Sequence, residues 1–328
     1  MITPAQFNLF VSTANTLIGQ VWSDASLPLF YPVFCTTMPS GASQNVYGWT
    51  GMLPKPRVWT GPRETVEPAA QTYLVPNWPY EGPNVQIDRF HLDDDQFGIY
   101  YRTLPDQARQ VKRLPDYWVR DLIEARGAFT GAIQLGLDGL SNFNTAHPID
   151  VYSSAAGTYT NDLTGGGMTI GGILTGGAFS PTAFATSVEY MMTYKGEDGE
   201  PLGIYPSHAM FPAQLKTEAE LVLKSMSFAP PAWATITGQV GAADNPFKRF
   251  GVEPLINVLL TSATKWYLQD NTKSFKAMGW QQREAPRFTP RVNENDPVVY
   301  DLHRYEWGVW GRGAPFWCPA FLMLRGGP

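Results

Sequence analysis

This sequence predicts an α+β fold, and three observations carry that reading. Apolar residues recur at three- and four-residue spacing near residues 4–21 and 96–126, the signature of amphipathic helices. Elsewhere the apolar pattern alternates at period two, as in VQIDRFHL (Val85–Leu92). It also forms short apolar runs, PLINVLLTS (Pro254–Ser262) and KWYLQ (Lys265–Gln269), and both patterns read as strands. Finally, 31 Gly and 28 Pro among 328 residues demand many turns and extended segments.

Thr3–Pro4 is a helix start, a capping hydroxyl followed by proline at the first helical position. Phe7, Phe10, Val11, Ala14, Leu17, Ile18 and Val21 then lay down one apolar stripe that must be buried. Ser26–Gly41 is proline-punctuated and extended, so the first helix reads as an arm on a tether. Residues 44–92 carry strand-like residues broken by Pro54, Pro56, Pro62, Pro68, Pro76, Pro79 and Pro83. Proline cannot donate to a ladder, which makes this an edge-like hairpin. Its aromatics, Trp49, Trp59, Tyr73, Trp78 and Tyr80, need a second surface. That surface is either the chain's own core or another copy of the chain. Asp93–Asp95, just before a helical run, are placed as a helix start. The helix over 96–126 keeps Phe97, Tyr101, Leu104, Ala108, Val111, Trp118, Leu122 and Ala125 in rhythm, while Pro105 and Pro115 must kink or restart it. Its polar face holds Arg102, Arg109, Lys112, Arg113 and Arg120, ordinarily a solvated face and here also a candidate contact for nucleic acid.

Gly127–Asp150 is turn-rich. Thr164–Gly177 (TGGGMTIGGILTGG) lacks the Lys and Ser/Thr of a phosphate loop and reads as a flexible connector. Ser180–Pro181 opens a second amphipathic helix. His208–Phe211 is a short strand, and a third helix lies near Thr217–Met226. The tail from Val298 to Arg325 reads as strands separated by a glycine turn, GVWGRGAP (Gly308–Pro315).

Charged residues are 16 % of the chain against about 25 % in an average soluble domain, and aromatics reach 13 %. So uncharged and aromatic a surface is expected to be covered by partners. The net charge of −5 argues against a dedicated nucleic-acid binder. Cys35 and Cys318 permit one disulfide by count, with no CxxC or Cys/His spacing. No basic leader and no apolar run of about 18 residues is present, so a soluble chain made inside the cell is expected.

Catalytic signatures are missing. His91, His147, His208 and His303 are scattered, none at metal-ligand spacing, and there is no GxSxG, HExxH or GxxxxGK[ST]. Ser207–His208 adjacency does not by itself place a hydroxyl on an imidazole, and His147 in NTAHP reads as a turn histidine. No catalytic residue, cofactor or metal is expected.

The runs YGWTGMLPKPRVWTGPR, DDDQFGIY, GLDGLSNFNTAHP and KWYLQD, with the ending HRYEWGVWGRGAPFW, resemble in order the major head subunit of Mu-like phages and prophages, across about residues 1–326. Ala146 stands where that pattern has an acidic residue. The resemblance implies the capsid fold shared by tailed phages. Residues 1–43 would be an N-terminal arm, 44–84 an extended β-hairpin loop, and 85–164 a peripheral domain with a spine helix at 96–126. Residues 165–275 would be an axial domain, and 276–328 would return to the peripheral domain. It further implies a structural protein that self-assembles into hexamers and pentamers of an icosahedral head around double-stranded DNA, made in the host cytoplasm and ending in the virion. Separate scaffold, decoration and portal proteins would be its partners. Candidate subunit-interface residues are Phe7, Phe10, Trp49, Arg57, Trp59, Arg63, Tyr73 and Trp78. Candidate DNA-facing residues are Arg102, Arg109, Lys112 and Arg113. Another phage structural component, in a tail or as a decoration, and an intracellular hydrolase using Asp93–Asp95 or His147 are the alternative readings.

Overall fold

The computed structural model describes residues 4–24, 26–49, 58, 61, 71–94, 99–129, 133, 135–136, 138–150, 156–164, 169–170, 173–174, 178–225, 227–228, 243–293 and 295–328. Helix α1 (Pro4–Ser23) starts at the proline the sequence marks. Its Ala14, Ile18 and Val21 are buried together with Ile87, Leu92, Leu104, Ala108 and Trp307 of the same chain. The part of the stripe from Ala14 to Val21 is therefore covered within this chain, and the side chains of Phe7 and Phe10 lie outside the described residues. After the tether come a single turn, α2 (Tyr31–Phe34), and strand β1 (Cys35–Pro39).

Strands β2 (Gln44–Trp49) and β3 (Gln71–Pro76) form a two-stranded antiparallel ribbon, with Tyr47 opposite Tyr73. Strands β4 (Trp78–Glu81) and β5 (Val85–Asp88) leave the ribbon and pair with a later strand. The alternation read as a strand to Leu92 stops at Asp88. The Asp88 carboxylate accepts from the Phe90 N–H and caps a short helix, α3 (Arg89–Asp93). Asp93 and Asp94 thus end a helix instead of starting one, and Asp95 lies outside the described residues.

The expected spine is two helices, α4 (Tyr100–Lys112) and α5 (Leu114–Glu124). Pro105 is carried inside α4, whereas Pro115 sits in the first turn of α5, where its missing N–H costs nothing. Ala125, in the left-handed region at φ 54°, closes α5.

Beyond the spine lie four two-residue strands, β6 (His147–Pro148), β7 (Thr158–Tyr159), β8 (Thr169–Ile170) and β9 (Ile173–Leu174). Helix α6 (Pro181–Met192) is capped by Ser180 Oγ, which accepts from the Ala183 N–H, as the Ser–Pro pair foretells. Then follow β10 (His208–Pro212), α7 (Lys216–Lys224), the short β11 (Ser227–Phe228) and β12 (Ala243–Asp244), β13 (Glu253–Asn257) and β14 (Trp266–Gln269). The chain finishes with β15 (Met278–Arg291), α8 (Pro297–Leu302), β16 (Arg304–Trp317) and β17 (Met323–Gly326).

Two sheets organise the molecule. The first runs β1-β15-β16-β4, with β5 pairing farther along β16. The second runs β13-β10-β14-β17. Residues 276–328 therefore serve both sheets, β15 and β16 the first and β17 the second. Helices α6 and α7 pack on the second sheet through Phe184, Val222, Phe211 and Trp266. A core of Trp280, Trp317, Tyr267, Val119 and Leu122 joins the spine to both sheets.

The glycine turn expected at 308–315 is absent, because β16 runs straight through it. A Cβ at Gly311 would strike the Tyr80 ring, and one at Gly313 would meet the Gln281 carbonyl. These glycines admit close neighbours across the sheet.

Cys35 and Cys318 are free, buried thiols. Cys35 pairs with Met278 of β15, whose other partner is Trp317, so a whole strand separates the two cysteines. Two strand spacings of about 4.8 Å exceed the reach of a disulfide. Among the described residues, no helix is long and apolar enough to cross a membrane.

Candidate assembly surface

Strict alternation gives the β2–β3 ribbon two unlike faces. On the inner face the Tyr47 ring stacks on Phe316 with centroids 4.4 Å apart, and its hydroxyl donates to Gln281 Oε1 at 2.8 Å. Val75 is fully buried beside Ala314, Phe316 and Cys318. Asn77 Nδ2 donates to Ser40 Oγ and to the Ala42 carbonyl, both at 2.7 Å, which ties the ribbon's base to the loop after β1. On the outer face Val46 and Leu74 stand directly opposite each other, 60 % and 56 % exposed. Folding leaves an apolar cross-strand pair on the surface, on a ribbon that has two strands among the described residues.

Among the interface candidates, Tyr73 packs inward with Tyr47. Trp78 lies against Phe129 at 5.1 Å and Trp118 at 6.2 Å. Both are half-buried in the chain's own core. The side chains of Phe7, Phe10 and Trp49, and all of Arg57, Trp59 and Arg63, lie outside the described residues.

The three basic candidates with described side chains have different surroundings. Lys112 Nζ donates to the carbonyls of Val21 and Trp22, at 3.3 and 3.1 Å, and to that of Asp24. It caps the C-terminal end of α1, where a cation suits the helix dipole. Arg109 pairs with Asp106 at 2.6 Å on an exposed turn. Arg113 borders an open cavity of about 300 Å³ that it shares with Pro28, Phe30, Asp116 and Leu255. The side chain of Arg102 lies outside the described residues.

Asp116, which sequence reasoning passed over, is 2 % exposed, and its Oδ1 accepts from the N–H groups of Phe30 and Tyr31 at 3.2 and 2.9 Å. It fastens the tether and α2 to α5. Burial pushes its carboxyl up to about 6, against the pull of those two N–H groups and of Arg113. Aspartate in the first turn of a helix was the available signal, and its partners, 86 and 85 residues away, were not legible.

His147 is fully buried, with Nδ1 2.5 Å from Asp138 Oδ2 and Nε2–H donating to the Asn142 carbonyl at 3.1 Å. It locks the 138–148 turn, as read, and its carboxylate partner is Asp138, nine residues upstream. Asp162 clamps Arg325 of β17 through two oxygens, at 3.0 and 2.5 Å, anchoring the turn-rich region to the second sheet.

Ser207 Oγ lies 3.0 Å from His208 Nδ1, a contact that adjacency alone left open, and Glu253 lies 3.7 Å from His208 Nε2. The same hydroxyl accepts from the Asn271 N–H at 2.9 Å, so it ties β10 to the 270–272 turn. Among the described residues, no group of three or more His, Cys, Asp or Glu is placed to hold a metal ion.

The family model described as Mu-like prophage major head subunit gpT matches residues 11–170 and 251–322. The major capsid protein of Escherichia phage Mu is 28 % identical over 158 residues, 48 % of this chain and 48 % of that one. The chain thus spans about half the length of that curated relative. Among solved structures, the procapsid of bacteriophage JBD30 matches at 23 % identity with a TM-score of 0.54, covering 100 % of this chain and 76 % of that one. The JBD30 capsid decorated with minor capsid protein trimers matches at 23 % identity with a TM-score of 0.53, covering 80 % of this chain and 100 % of that one. At these identities the likeness shows the fold, which is that of tailed-phage capsid proteins.

Proposed function

The chain belongs to the Mu-like prophage major head subunit gpT family, and on that premise we propose that it is the shell-building subunit of a phage head. It self-assembles into hexamers and pentamers that close an icosahedral shell around double-stranded DNA. Its role is structural, without a catalytic step. The observation that carries this reading is the family match over both ends of the chain, joined to a capsid fold throughout.

In this reading residues 1–43 are the arm, 44–84 the extended loop, 85–164 the peripheral domain, 165–275 the axial domain and 276–328 the return. The loop reaches a neighbouring subunit, supported by the ribbon's bare Val46–Leu74 pair and by Trp49, Arg57, Trp59 and Arg63 in its sequence. Repeated heterologous contacts of this kind close into symmetric arrays. Scaffold, portal and decorating proteins are its partners, the last on the precedent of the trimer-bearing JBD30 capsid. DNA contact is weak and non-specific, assembly takes place in the host cytoplasm, and the product is the virion.

The Trp49→Ala, Trp59→Ala double variant tests the loop's role. A folded subunit that forms no shells is expected in electron micrographs, and normal particles would overturn that role.

A further inference from the structure

We propose that the cavity between the tether, α5 and β13 receives the C-terminal end of a partner protein, an extended segment finishing in an apolar residue and a free carboxylate. The site needs a single subunit and does not rest on the self-assembly reading. Consecutive residues 255–259 line it, together with Pro28, Leu29 and Phe30 of the tether and with Arg113 and Asp116. Side chains alternate along a strand, so a cavity above one face would meet only every second residue. The unbroken run through Leu255, Ile256 and Asn257 means that the edge of β13 faces the cavity.

That edge is open. Among the described residues β13 is the outermost strand of the second sheet. Its Glu253 N–H donates to the Ser207 carbonyl on the β10 side at 2.9 Å. Backbone direction alternates as well, so Leu255 and Asn257 turn to β10 while Pro254 and Ile256 turn outward. Pro254 has no N–H to offer, which suits an edge. The N–H and C=O of Ile256 are thus presented to the cavity, and among the described residues no backbone hydrogen bond joins β13 to the tether. An extended chain can add to such an edge, its backbone held by the strand and its side chain by the pocket.

Size and charge select which part of a chain enters. A volume of about 300 Å³ is at the small end of ligand sites and suits a chain end better than a strand running through. Leu29, Phe30, Leu255 and Leu259 wall a place for the last side chain. The half-buried Arg113 guanidinium makes no hydrogen bond among the described residues, and its fork matches a carboxylate. Asp116 adds a pH dependence. Its carboxyl, pushed up to about 6 by burial, is charged above that pH and repels an incoming carboxylate. Below it Asp116 is neutral, while a peptide α-carboxyl with a pKa of about 3.5 stays charged. Affinity therefore rises as pH falls through 6. Arg113 faces Asp116 from the same helix junction, Tyr31 and Cys35 from the tether and β1, and Leu255–Leu259 bring no titratable group. Burial raises both the Tyr31 hydroxyl and the Cys35 thiol, so neither titrates in this range.

The test uses the full-length unassembled subunit and a fluorescein-labelled hexapeptide ending in Leu, with binding read by anisotropy. Wild type is expected to bind the free acid about tenfold more tightly than the C-terminal amide. It should also bind the acid several-fold more tightly at about pH 5.5 than at about pH 7.5. Arg113→Gln should erase the difference between acid and amide, and Asp116→Asn should flatten the pH profile. N-methylating the last two peptide bonds of the probe should weaken binding while leaving the subunit untouched. No binding by wild type, equal binding of acid and amide, or undiminished binding of the N-methylated probe would overturn the proposal. So would octanoate competing as strongly as the peptide, which would make this a site for any apolar anion. Subunit dimers that excess peptide dissolves would give the edge to a second copy of the chain and overturn it too. Because the subunit is unassembled throughout, failure here leaves the shell-building reading standing.

Discussion

Lys112 and Asp116 show how much of a residue's work depends on partners far away in sequence. Lys112, counted among the basic residues of a solvated face, holds the end of α1 onto α4 through three carbonyl oxygens. Lys112→Met keeps the aliphatic stem and removes the donors, and should cost about 1 kcal/mol, read as a lower urea midpoint. Unchanged stability would show the cap to be idle. Asp116 sets a pH dependence whose sign follows from its burial. Its folded value of about 6 lies above the ordinary 3.8, so between roughly pH 4 and 6 the folded chain binds a proton that the unfolded chain does not. Its contribution is fully present below that window and is lost as pH rises through 6. Asp116→Asn, which cannot ionise, should flatten that part of the urea-midpoint profile, and a profile identical to wild type would contradict the assignment. Nothing local in VKRLPDYW names the partners of either residue, because the helix end that Lys112 caps and the tether that Asp116 holds are brought there by the tertiary fold.

Elements were more legible than residues wherever a local rule acted alone. The start of α1 at Pro4, the Ser180 cap of α6 and the restart at Pro115 were all readable, since a cap or a proline acts within one turn. The failures came where two rules competed. Asp88 capped a helix inside an alternating pattern, and Gly311 and Gly313 made room for Tyr80 and Gln281 where a turn was expected. Gly279 tests the packing explanation. A Cβ there would fall on the Phe316 ring, the same ring that carries Tyr47 of the β2–β3 ribbon. Gly279→Ala should therefore destabilise the subunit by about 1–3 kcal/mol and speed hydrogen exchange in β2 and β3 before other strands. Uniform loss of protection across both sheets would mean that the ribbon is not the element displaced.

At the scale of the whole molecule, the α+β class, the first helix and an edge-like hairpin could be read from periodicity and proline alone. Which copy covers the α1 stripe could not, because an apolar stripe says that it must be buried and not by what. The same limit applied to the ribbon, whose inner face turned out to pack in the chain and whose outer face stays bare. Two sheets joined by one aromatic core, with the Val46–Leu74 pair left exposed on the ribbon, suit a subunit that copies of itself can cover. Self-assembly into closed shells is the central claim, and negative-stain microscopy of the purified chain, alongside light scattering over a concentration series, tests it most directly. Capsomers, curved sheets or closed shells appearing with rising concentration are the expected result, and a clean monomer at every concentration would contradict it.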